Sequence, residues 1–156
     1  MKGDERLVKK LDELLCDELT AIMQYVVHAE MCANWGYQRL HQAVENRARQ
    51  EMQHAEKLIA RIIFLEGTPT VSRLNPVHIG PDVPQQLQAD LKAEVHTNGM
   101  YNEVIHLSDE ANDAATRDLL ESILKEEDGH VDWLEEQLDQ MAQLGVPLYL
   151  STQTRA

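Results

Sequence analysis

The chain has 156 residues, with 27 Asp and Glu against 14 Lys and Arg, for a formal charge of −13 at pH 7. That balance speaks against nucleic acid or an anionic membrane surface as partner and for an affinity for cations. Aromatic residues are only 4% of a composition rich in Ala, Leu, Glu, Gln and Met, which suits a helical fold in one domain over 1–156.

Residues 1–8 (MKGDERLV) lack the apolar stretch of a signal peptide, and no later segment has the length of a membrane span, so the expected compartment is the cytoplasm. Apolar residues at helical spacing predict a first helix over about 4–35. It holds both cysteines, Cys16 and Cys32, which sixteen residues of helix set roughly 24 Å apart, so they stay free thiols. Gly36 ends it, and a second helix follows over 38–65. Gly67, Pro69, Pro76, Gly80, Pro81 and Pro84 then crowd one stretch, and residues 66–82 show little sign of structure. A third helix over 83–111 and a fourth over 114–143 come next, and Gly145 and Pro147 introduce a short fifth near 147–154.

The short connections make two antiparallel hairpins. Extended, the 66–82 segment reaches up to about 55 Å, more than the roughly 40 Å length of the second helix. It can therefore return the chain along the bundle and leave the second and third helices parallel. The expected fold is all-α, a four-helix bundle with one long crossover.

Glu51-x-x-His54 and Glu127-x-x-His130 are the residues that carry chemistry. One such motif alone reads as a solvated helical face, and a third copy, Glu103-x-x-His106, shows how cheaply it arises. The spacing changes the reading. Glu18 stands 33 residues before Glu51, Glu94 stands 33 before Glu127, and Tyr25 and Tyr101 each follow their glutamate by seven. The whole set repeats at an offset of 76, so the two hairpins look related. Counted from the turns, all six ligand candidates lie at one level near mid-bundle. Ile123, Leu124, Val131, Leu134 and Leu138 share the stripe of Glu127 and His130, which turns that pair inward. Glu103 is nine residues from Glu94, about 180° around the third helix, and faces mostly outward.

Four carboxylates and two imidazoles in one buried layer need neutralising, and two divalent metals would do it. One Glu from each of two helices plus Glu-x-x-His from the other two is a di-iron carboxylate ligand set. Oxygen donors with one imidazole per metal suit iron or manganese, and the absence of Cys disfavours structural zinc. Glu51 and Glu127 would bridge, Glu18 and Glu94 would be terminal ligands, and His54 and His130 would give one imidazole each. Tyr25 and Tyr101 would hydrogen-bond the terminal carboxylates, or else simply pack in the core.

Over essentially its whole length the chain resembles the bacterioferritins, in MKGDERLVKKLDELL, in LTAIMQYVVHAEM and in the short C-terminal helix. The resemblance implies a ferritin-like bundle that oxidises Fe(II) at a di-iron centre and stores Fe(III) mineral inside a shell of twenty-four copies built from two-fold dimers. It implies that Met52, next to Glu51, is an axial ligand of a b-type haem shared by two subunits. Methionine there could instead fill an interface, and Leu19, Ile22, Met23 and Val26 offer an apolar wall for either role. Asn34, Glu66, Asp132 and Asp139 match pore-lining positions, or are plain solvated surface, and a ferredoxin is the implied electron donor for iron release. Asn46 and Gln50 depart from relatives that carry His and Asp there, which favours a centre that passes oxidised iron inward over a fixed cofactor. The rivals are another ferritin-like di-metal oxidase or catalase, and a mainly haem-binding shell subunit.

Overall fold

Aspartates mark where three of the helices start. Asp4 accepts from the Leu7 N–H at 3.2 Å, Asp82 from Gln85 at 2.9 Å and Asp113 from Thr116 at 3.0 Å, each satisfying a helix's first free donors. The computed structural model describes residues 1–155. Helix α1 spans Glu5–Asn34, α2 Gln38–Phe64, α3 Val83–Glu110, α4 Ala114–Leu144 and α5 Val146–Ser151. The four long helices fall within a residue or two of their expected bounds.

The fifth helix is shorter than its expected reach to 154. The hydroxyls of Ser151 and Thr152 take up the carbonyls of Leu148 and Tyr149, and the Gln153 carbonyl instead accepts from the Arg39 N–H at 3.1 Å. Gly36 lets α1 turn into α2 at φ +85°, a conformation that L side chains rarely adopt, and Asn112 does the same between α3 and α4 at φ +55°.

Helix α1 packs chiefly on α2 and α3 on α4, with α1 against α3 closing the bundle. The crossover between α2 and α3 is ordered without regular structure, and one face of α1 explains why. Asp12, Cys16, Thr20, Gln24 and His28 recur every fourth residue. Asp12 accepts from the Thr70 N–H at 2.7 Å, Thr20 from Asn75 at 2.9 Å, Gln24 from His78 at 3.1 Å and the His28 Nε2 from Gly80 at 3.0 Å. The Cys16 thiol donates to the Arg73 carbonyl at 3.5 Å. Backbone groups that would otherwise lack partners are thus met by a column of α1 side chains. Because both numbers rise together, the crossover runs parallel to α1, and it sets α2 and α3 parallel as expected. At its end a Cβ on Gly80 would lie 2.3 Å from the Gln86 nitrogen, so only glycine fits.

The core divides into two large apolar blocks and a small third one of Tyr25, Ala29, Val44 and Ala48. Leu11, Leu14, Leu58, Ile62, Leu120 and Ile123 belong to one large block, and Leu40, Leu87, Leu134, Met141 and Tyr149 to the other. Burial of such side chains contributes about 1.5–3 kcal/mol each. The polar layer described next lies between the two large blocks. Among the described residues, no helix is long and apolar enough to cross a membrane.

Candidate metal centre

The apolar stripes that pack the bundle also carry the polar residues inward. Glu18, Glu51 and Glu94 are 1–2% exposed, Glu127 and His54 fully buried and His130 3% exposed. They form two overlapping groups, Glu18–Glu51–His54–Glu127 and Glu51–Glu94–Glu127–His130, each with its ligand atoms within 4.8 Å of one another. Glu51 and Glu127 belong to both, the position of a bridge. Each group takes one imidazole and one further glutamate, and the His54 and His130 rings lie 6.3 Å apart.

The tyrosines pair across the bundle. Tyr25 of α1 donates to Glu94 of α3, and Tyr101 of α3 donates to Glu18 of α1 at 2.6 Å. Burial raises both phenols well above their ordinary pKa, so they remain donors. Each holds one oxygen of a glutamate that belongs to a single group and leaves the other without an aligned partner.

Five polar atoms at the centre have no aligned hydrogen-bond partner, Glu18 Oε2, Glu51 Oε1, Glu94 Oε2, Glu127 Oε2 and His130 Nδ1, although His130 Nδ1 lies 2.9 Å from Glu51 Oε1 and 3.2 Å from Glu127 Oε2. A buried polar atom without an aligned partner is costly, and here five converge. Burial, with Glu127 beside it, raises the Glu94 pKa well above normal, and burial raises Glu127 as well. Burial alone would lower His54, yet Glu127, Glu18 and Glu126 around it hold it up at about 10. These shifts favour the protonated forms of Glu94, Glu127 and His54, and so a centre that takes up positive charge.

Two contacts were not foreseen from the sequence. The His54 Nε2 donates to Glu126 at 2.6 Å, and the His130 Nε2 donates to the Gln50 amide oxygen at 2.7 Å. Both rings therefore present Nδ1 to the interior, with Nε2–H fixed from outside. Gln50 and Glu126 are equivalent in the 76-residue repeat, and that equivalence was the signal that could have found them.

Other predicted residues lie apart from the centre. Met52 is 44% exposed, turned out of the bundle beside the buried Glu51. The expected apolar wall is corrected: Ile22 is 4% exposed in the core and Leu19 packs against that core, which leaves Met23 and Val26 at the surface. The stripe is wider than its outward part, so one side of it faces in. Asn34, Glu66, Asp132 and Asp139 are all exposed, and so is Asn46. His106 is exposed and lies 3.3 Å from Glu110, away from the centre.

A ferritin-like domain matches residues 8–144. Bacterioferritin of Brucella melitensis is 39% identical over 149 residues, covering 96% of this chain and 92% of the relative. A bacterial ferritin of Pseudomonas aeruginosa is 38% identical over 154 residues, covering 98% and 99%. Bacterioferritin of Mycolicibacterium paratuberculosis is 40% identical over 149 residues, covering 96% and 94%.

Proposed function

Because the chain belongs to the ferritin-like family, among its bacterioferritins, we propose that it stores iron by oxidising Fe(II) at the buried carboxylate centre. The convergence of four buried carboxylates and two imidazoles in two overlapping groups, with ligand atoms within 4.8 Å of one another, carries this reading. Two Fe(II) ions are the substrate. Glu18 and His54 hold one, Glu94 and His130 hold the other, and Glu51 and Glu127 bridge them. Four carboxylates carry the charge that two divalent ions cancel.

Substrate binding releases the His54 Nδ1 proton and the proton held at Glu94. The bridging carboxylates keep the ions close enough for one oxidant, dioxygen or peroxide, to take one electron from each. Tyr25 and Tyr101 steady the terminal carboxylates while the iron charge changes. Hydrolysis of Fe(III) yields mineral inside a homo-oligomeric shell of twenty-four copies, assembled from two-fold dimers of this single domain. Asn34, Glu66, Asp132 and Asp139 would line a pore between copies, and a ferredoxin would return electrons for release. A reducing cytoplasm fits the two free thiols, Cys16 and Cys32.

The centre acts as a gate. Asn46 and Gln50 give it no iron-binding relay to the cavity, and an exposed amide is all that backs His130. Two Fe(II) per subunit should oxidise fast, and a second pair added afterwards should do so again. His130→Ala should lose the fast phase with the shell intact. A wild-type rate in that variant would remove the centre from the reaction.

Met52 would hold a b-type haem jointly with the Met52 of a second copy. Its outward thioether fits an axial ligand, and the group would supply an electron path across the shell. Met52→Leu should abolish the haem absorption bands and leave the fast phase intact. Unchanged bands would assign the haem to another residue.

A further inference from the structure

A cleft of about 570 Å³ opens between α1 and α3, with Arg73, Asn75 and His78 of the crossover along its rim and Glu18, Glu51 and Glu94 among its lining residues. It connects the surface to the carboxylates. Asp17 also lines it, only 7% exposed although it stands beside the mouth. Its Oδ1 accepts from the Asn75 amide at 2.5 Å, which fixes the side chain, while its Oδ2 has no partner.

A buried carboxylate oxygen left bare asks for a cation or a donor. Facing it from α3 is His96, 69% exposed, with Nε2 at 4.0 Å from Oδ2. That separation is too long for a hydrogen bond. It does suit two ligands of one divalent ion, which at about 2.1 Å from the metal stand roughly 3.0–4.2 Å apart according to angle. Glu13, nearby on α1, is occupied by Lys10 at 2.8 Å and leaves the position to these two residues.

From this arrangement we infer that Asp17 and His96 form a transit site for divalent cations, where Fe(II) pauses before reaching Glu18 and Glu94. The inference rests on the reading of the buried centre as an iron-oxidising site. Two protein ligands completed by water bind weakly. The deeper centre has more ligands and shared carboxylates, so it draws the ion onward. Transit needs such a gradient, because a tight outer site would trap the substrate.

Co(II), which binds without being oxidised by iron's route, is the probe for location. Soaked crystals should show an anomalous peak between Asp17 Oδ2 and His96 Nε2 as well as the inner pair. Asp17→Asn should remove the outer peak and keep the inner pair, since its amide oxygen can still accept from Asn75. In stopped-flow oxidation, Asp17→Asn and His96→Ala should each slow the fast phase several-fold at sub-saturating Fe(II) and match wild type at saturation. Absence of the outer peak, or wild-type rates in both variants at low Fe(II), would overturn the transit site while leaving the buried centre standing. A wild-type protein with no inner cobalt pair and no fast oxidation would instead reject the parent reading, and the transit site with it.

Discussion

The α1–α2 and α3–α4 hairpins carry the same inward set, Glu, Tyr, Glu and His, at an offset of 76 residues, but they differ at most positions where the repeat turns outward. Gln50 corresponds to Glu126, Met52 to Asp128, Gly36 to Asn112 and Tyr37 to Asp113. Because each hairpin backs the other's histidine, Glu126 of the second supports His54 and Gln50 of the first supports His130. A near-symmetric centre thus sits in an asymmetric shell of partners. Two like metal positions would demand like inner residues and would leave the outer ones free to take separate tasks.

The largest expected effect lies in that backing. A carboxylate makes an imidazole a stronger ligand than an amide does, so the His54 position should hold a divalent ion more tightly than the His130 position. Co(II) titration followed by visible absorption should show two unequal sites. Glu126→Gln should weaken the tighter one by about tenfold, the low end for outer partners of ligating histidines. Gln50→Glu should strengthen the weaker one. Two equal sites in the wild type would break the comparison.

Next come the hairpin turns. Asp113 caps α4 and also holds Arg61 at 3.0 Å, whereas Tyr37 gives α2 no side-chain cap. Asp113→Ala should cost about 1–2 kcal/mol in urea denaturation of the metal-free protein near neutral pH. Burial pushes the Asp113 pKa up, but the Thr116 hydroxyl and N–H, together with Arg61, bring it below its ordinary value. A carboxylate depressed on folding stabilises above its unfolded pKa, about 3.9, and loses that contribution as the pH falls through the folded value. The gap between variant and wild type should therefore close in acid. A constant gap from pH 7 to pH 3 would show that the charge has no part in the cap.

The smallest effects concern the left-handed residues. A Cβ on Gly36 meets nothing within 4 Å, so Gly36→Ala isolates backbone strain and should cost about 1 kcal/mol. Asn tolerates this conformation, and Asn112→Gly should gain only about 0.3 kcal/mol, strain relief being nearly offset by glycine's entropy. Thermal unfolding of the two variants orders them. Equal shifts would mean that the turns are under the same strain.

The inward half of the centre was legible because its chemistry imposes a pattern. Glu51 and His54 must share a helix face, Glu127 and His130 must do likewise, and the turn-to-ligand distances repeat. The Gln50 and Glu126 contacts were not, since each lies one residue, about 100°, off the ligand face and meets a histidine of the other hairpin. The same limit applied to Ile22. Periodicity marks it as apolar, but only the packing of α1 decides which edge of a broad stripe is covered. The crossover was legible as a length and a direction, while its order depends on side chains 52–58 positions away in sequence.

That column of α1 side chains alters what the crossover can accept in evolution or engineering. Irregular surface segments ordinarily take insertions well, because no register binds them to the scaffold. Between Thr70 and Gly80 the chain advances by alternating steps of three and two residues for every four along α1. One inserted residue would put each later backbone group out of step with its partner. Although it has no helix or strand, this segment is as intolerant of a change in length as the bundle it spans. Extra sequence belongs between Gly67, whose N–H still meets the Ile62 carbonyl, and Thr70, the first residue held by the column.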